Sequence, residues 1–144
     1  MAGSSHWDLT PRQSIEAECA RRGRAAVIAG CASLIDGADA DVTLVWALGG
    51  PGARRVLADA GQRYWLRVWG MRGLLWVWDD SALDAVRVGL GDEAWRVREM
   101  AAKVVARHLL GDALTAVAEL REDPVARVRA AAARAVTLLT RAGA

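Results

Sequence analysis

The chain contains no phenylalanine, one tyrosine, two cysteines, three prolines, two histidines and, among its 19 cationic side chains, a single lysine. Each scarcity narrows the options. Cys19 and Cys31 stand in apolar stretches and lay out neither a disulfide framework nor a zinc site, so a buried free thiol is the expectation for each. The histidines are His6 and His108, and no His-Glu pair exists, which leaves no ligand set for a metal and no base beside a nucleophilic Ser or Cys. Gly49-Gly50-Pro51-Gly52 lacks the Lys-Ser/Thr that follows in a phosphate loop and reads as a turn. Asp79-Asp80 are adjacent carboxylates that do not share a helix face, and helix capping accounts for them. No catalytic residue, cofactor or metal is therefore expected.

Two further absences concern membranes and sheets. The longest apolar run, Ala25 to Ile35, is too short and too interrupted by glycine to cross a bilayer. The first residues show no charged region followed by an apolar core, so the expectation is no signal peptide and a cytoplasmic location. No segment alternates with period two over a useful length, and no sheet is expected.

What is present points the other way. With 144 residues, 53% of them hydrophobic, the chain is long enough and apolar enough to bury a core. The formal charge of +2 argues against a histone-like or tail-type nucleic-acid binder, while leaving room for a local basic patch. Arginine abundance beside so much Ala and Val has a compositional reading, a GC-rich coding sequence, as well as a functional one. Seven tryptophans carry nearly all the aromatic surface.

The organising feature is a repeat of thirty-one residues. Asp92-Glu93-Ala94-Trp95-Arg96-Val97-Arg98 aligns with Asp123-Pro124-Val125-Ala126-Arg127-Val128-Arg129, and Tyr64-Trp65-Leu66-Arg67-Val68-Trp69 lies one step earlier in the same frame. A fixed period of this size marks a stacked helical array. Thr10-Pro11-Arg12-Gln13 is a capping box with proline at the first helical position, starting a helix that runs to about Arg22. A second follows to about Ile35, and Asp39 or Asp41 caps a short third before the Gly-Pro turn. Helices are then expected near 53–60, 63–78, 81–90, 93–109, 113–121 and 124–141. Their separators pair a helix end with a capping aspartate or a proline, except at Ala60-Gly61. The layout is a flexible arm over 1–9, a degenerate cap over 10–50, and repeats at 51–80, 81–111 and 112–141 within one domain.

Stepping 100° per residue sorts each long helix into faces. Val97, Ala101, Val104, Val105 and His108 form a core arc, matched by Leu66, Gly70, Gly73, Leu74 and Val77 and by Val128, Ala132, Ala135, Val136 and Leu139. A small-residue face (Ala102, Ala106; Ala130, Ala133) suits close approach by an adjacent helix. Asp92 and Arg98, like Asp123 and Arg129, stand six apart, and a repeated arginine can bridge to the next unit's aspartate. The remaining strip reads Trp65, Trp69, Arg72, Trp76, then Arg96, Met100, Lys103, Arg107, then Arg127, Ala131, Arg134, Leu138, with no carboxylate interrupting it. Its tryptophans have two readings: core filling opposite Gly70 and Gly73, or an exposed aromatic platform.

The pattern Asp-x4-Val-Arg-x2-Ala-Ala, as Asp92…Val97-Arg98…Ala101-Ala102 and Asp123…Val128-Arg129…Ala132-Ala133, resembles the HEAT repeat in its short bacterial form, and the larger layout is similar to actinobacterial HEAT-repeat proteins. The period is shorter than the ~40–47 residues usual for such repeats. The resemblance implies an all-α fold, an α-solenoid of antiparallel helix pairs with about eight or nine helices, whose Val-Arg helices line a concave side. It favours a non-catalytic scaffold whose partner is a protein with an acidic or extended segment, held by Trp65, Trp69, Arg72, Trp76, Arg96, Lys103, Arg107, Arg127 and Arg134. The alternative is nucleic-acid binding in a groove similar in kind to those of HEAT-like DNA glycosylases, with Arg141 added to the phosphate contacts and no catalytic acid. The apolar third repeat is also a candidate homodimer surface.

Overall fold

A computed structural model describes residues 9–38 and 41–143. Among them there is no strand, and the fold is all-helical. The helices are α1 (Pro11–Arg22), α2 (Arg24–Ile35), α3 (Val42–Gly49), α4 (Ala53–Ala58), α5 (Tyr64–Gly73), α6 (Leu83–Leu90), α7 (Trp95–His108), α8 (Leu114–Glu119) and α9 (Ala126–Gly143), with short 3-10 turns between several of them. Residues 1–8, which hold most of the expected arm and His6, lie outside the described residues, as does Asp39.

Local chemistry sets the helix starts. Thr10 Oγ1 accepts from the Gln13 amide at 3.2 Å while Gln13 Oε1 accepts from the Thr10 amide at 3.0 Å, which is the reciprocal capping box read in the sequence. Gly23 separates α1 from α2 at φ +93°, a region where glycine bears no Cβ penalty. Asp41 caps α3 through the Leu44 amide at 3.0 Å. Asp59, Asp79, Asp92 and Asp123 each accept the amide two residues on, so the Ala60-Gly61 junction, read from the sequence as the exception without a capping aspartate, has one in Asp59. Asp112 differs: its side chain makes no cap, and its backbone carbonyl takes Arg87 Nη2 at 3.2 Å.

The long helices pack in sequence order, α2 on α5, α5 on α7 and α7 on α9, with α6 against α7 and α8 against α9. The arcs expected to face inward do so. Val97, Ala101, Val104 and Val105 are 0% exposed, as are Val128, Ala132 and Ala135, while Val136 and His108 are only half-buried. The small face is covered on α7, where Ala102 is fully buried, but Ala130 and Ala133 on α9 are exposed. Cys31 is a buried free thiol pushed up to about 12 by burial, whereas Cys19 is only half-buried.

Two rungs join successive units. Arg67 Nε and Nη2 hold Asp92 at 2.8 and 3.2 Å, and Arg98 Nε and Nη2 hold Asp123 at 2.7 and 3.1 Å. Both are bidentate pairs across twenty-five residues, the register that makes an internal arginine meet the next unit's aspartate.

One boundary departs from the periodic expectation. α5 ends at Gly73, not 78, and the chain continues through turns closed by Leu74, Leu75 and Trp76 amides donating to Met71, Arg72 and Gly73 carbonyls at 3.0–3.1 Å. The bend buries Leu74 (0% exposed) and Val77 (2%), and this packing overrides continuation of the helix.

Candidate functional site

The nine strip residues expected to hold a partner do not form one surface. They separate into three environments, and neighbouring packing decides which residue enters which.

Trp69 is core. It is 7% exposed, and a Cβ built on Gly49 would stand 2.3 Å from its ring, with Gly52 also facing it. The glycine slot filled by this indole therefore lies at the end of α3, while Gly70 and Gly73 instead admit α2 and its neighbours: a Cβ at Gly70 would meet the Cys31 carbonyl and one at Gly73 the Cys31 thiol, both at 2.9 Å. Arg72 also leaves the strip, its Nη2 donating to the Leu48 carbonyl at 2.6 Å.

At the starts of α5, α7 and α9 the strip closes on itself. The Arg96 guanidinium lies 5.1 Å from the Trp65 ring centroid and 4.5 Å from that of Trp95, and that of Arg127 lies 5.3 Å from the Trp95 centroid. Tyr64 and Trp69 extend the stack from Trp65 at 5.2 and 6.4 Å between centroids. Arg127 Nε ends the chain on Glu99 Oε2 at 2.9 Å, and Lys103 Nζ approaches the same oxygen at 3.8 Å. Glu99 is 8% exposed. The expectation of a strip free of carboxylates is thus corrected: Glu99 is placed off the strip by helical angle, yet its side chain is long enough to reach two of its cations. Alternating cations and π faces are attractive, and this series occupies Trp65, Arg96 and Arg127 with partners inside the molecule.

The other end of the strip is open. Trp76 and Leu75, just after α5, Lys103, Ala106 and Arg107 on α7, and Ala131, Arg134 and Leu138 on α9 line a groove of about 530 Å³. Leu75, Ala106, Ala131 and Leu138 make its apolar wall, and half-buried Trp76 adds an indole. Among the described residues no carboxylate pairs with Arg107 or Arg134. Of the nine residues expected to hold a partner, the fold brings four together here: Trp76, Lys103, Arg107 and Arg134. Ala131 and Leu138, read from the sequence as strip positions, prove to be groove wall, whereas Leu75 and Ala106 were assigned no such place.

His108 is the last residue of α7. Its Nε2 lies 2.6 Å from the Leu74 carbonyl and its ring stacks on Trp78 at 4.9 Å and 17°. Those contacts tie the turn after α5 to α7 and hold the half-buried ring of a residue expected on the core arc. Among the described residues no three His, Cys, Asp or Glu side chains gather as a metal-binding cluster, and no helix is long and apolar enough to cross a membrane.

No protein-family model, no curated protein and no solved structure matches the chain.

Proposed function

We propose that residues 10–144 form one HEAT-like α-solenoid of antiparallel helix pairs, acting as a non-catalytic binding module whose groove takes an acidic, extended segment of a protein partner. The observation that carries this reading is the pair Arg107 and Arg134, facing an apolar wall and Trp76 with no carboxylate among the described residues to offset them. Carboxylates on an extended chain would meet these cations, while an apolar side chain between them would rest on Leu75, Leu138 and the indole. The order of helix packing and the two Arg–Asp rungs support the solenoid reading. Nucleic-acid binding is less well supported, because it relies on many phosphate contacts in series and Arg96 and Arg127 already lie against tryptophans and Glu99.

The test is fluorescence anisotropy with a labelled peptide alternating Glu and Leu, and in parallel with single-stranded and duplex oligonucleotides, at roughly 50 and 200 mM salt. The peptide should bind, and Arg107→Glu and Arg134→Glu should each abolish binding without loss of helicity. Oligonucleotide binding with a steep salt dependence, lost in the same variants, would replace the protein reading with the nucleic-acid one. Binding of neither ligand at the lower salt would remove the groove as a site.

A further inference from the structure

Arg72 is a cation without a counter-ion. From the last turn of α5 its guanidinium reaches the Leu48 carbonyl, a neutral acceptor, and no carboxylate pairs with it among the described residues. Burial holds its pKa below the ordinary arginine value. A guanidinium carries five N–H donors in a fixed fork, and one carbonyl engages only part of it.

The same guanidinium lines a small cavity of about 190 Å³ between the start of α1 and the end of α3, separate from the open groove. Leu9, Pro11, Leu48 and Pro51 give the cavity apolar walls. Its other polar side chain is Ser14 of α1, which is 5% exposed and whose hydroxyl has no hydrogen-bond partner among the described residues. A partly desolvated cation is stabilised where an anion or several acceptors face it. Both groups face one cavity that keeps them accessible, so their unused hydrogen-bonding capacity is open to a ligand, beside the start of α1 where the helix dipole is positive.

We propose that this cavity binds a small aliphatic monocarboxylate, its oxygens on the Arg72 fork and the Ser14 hydroxyl and its alkyl tail against the leucine and proline walls. A planar carboxylate matches the fork bidentately. The cavity holds roughly six water volumes at about 30 Å³ each, enough for a few carbons and too little for a nucleotide. A single guanidinium also suits a monoanion better than a phosphate dianion, and this inference does not depend on the groove described above.

Isothermal titration of the full chain with sodium propionate, at constant ionic strength, tests it directly, with propionamide and inorganic phosphate as companion ligands. Propionate should bind saturably at one site, and neither companion ligand should compete with it. Ser14→Ala and Arg72→Gln should each weaken binding by about tenfold or more, and the double variant Arg107→Gln/Arg134→Gln should bind as the parent does. Should Arg72→Gln fail to fold, Arg72→Lys keeps the charge, removes the fork and should show the same loss. The proposal is overturned by absence of saturable propionate binding, by equal binding of propionamide, by preference for phosphate, or by unchanged affinity in both Ser14→Ala and Arg72→Lys.

Discussion

Arg98 holds Asp123 with Nε and Nη2 at 2.7 and 3.1 Å while its Nη1 donates to the carbonyls of Asp92 and Glu93 at 2.9 and 3.1 Å. One side chain thus fixes the entry to its own helix and the entry to the next. Both partners are largely buried, with side chains 14% and 4% exposed. Replacing Asp123 with Ala leaves the guanidinium buried without its carboxylate, and a loss of about 3 kcal/mol in urea unfolding is expected. Arg98→Ala should cost at least as much, since it also frees two carbonyls. The double variant should cost much less than the sum, and strict additivity would show that the pair does not act as a unit.

The same pair sets an acid response. The Arg98 hydrogen bond holds the Asp123 carboxyl below its ordinary range, assisted by the Val125 amide. A carboxyl whose pKa is depressed by folding contributes stability that is complete above its unfolded value of about 4 and is lost as pH falls toward the folded one. Asp41, lowered chiefly by its hydrogen bond to Arg22, acts in the same sense. The urea midpoint should therefore be level from neutral pH down to about 5 and fall below about 4. Asp123→Asn should show a shallower fall than the parent, and identical pH profiles would exclude Asp123 as a contributor.

Gly49 is required by Trp69. A methyl group there would stand 2.3 to 2.7 Å from three ring carbons, and the ring is boxed in at 7% exposure. Gly49→Ala should lose roughly 1–3 kcal/mol of stability by overpacking, despite the gain in helix propensity that alanine brings. Trp69→Leu in the Gly49→Ala background should recover part of it, as read by thermal melting, whereas a stabilised Gly49→Ala would show that the slot yields easily.

Leu109 ends α7 in the left-handed region, at φ 53° and ψ 54°, with its side chain 49% exposed. Such a position favours glycine, and a leucine there bears a cost of about 1 kcal/mol. Leu109→Gly should raise the unfolding free energy by about that amount. Lowered stability would mean that the exposed leucine makes contacts worth more than the strain.

Legibility in the sequence followed the range of the interactions. The capping box at Thr10, the inward arcs of α7 and α9 and the arginine-to-aspartate register are set by spacing within one or two units, and spacing is what a sequence displays. The end of α5 was not legible, because Leu74 and Val77 gain more from burial against other units than from helical continuity. Arg72 shared the angular position of the strip, yet its partner, Leu48, lies on an element twenty-four residues earlier. Glu99 was passed over because helical angle locates a Cβ and not the end of a three-carbon side chain. The open groove was half legible: its cations and Trp76 stood on the strip, but nothing in the period said that Trp65, Arg96 and Arg127 would be consumed by one another.

That self-pairing shapes the field outside the molecule. Glu99 cancels much of Arg127 at one end of the strip, while Arg107 and Arg134 at the other end pair with no carboxylate among the described residues. The potential along the strip is therefore graded, and a diffusing anion is drawn toward the α7–α9 groove before it touches any side chain. Added salt shortens the reach of that attraction to about a Debye length, some 8 Å at physiological ionic strength, so it slows arrival far more than it hastens departure. The buried glutamate at one end thereby decides the direction from which the other end is approached.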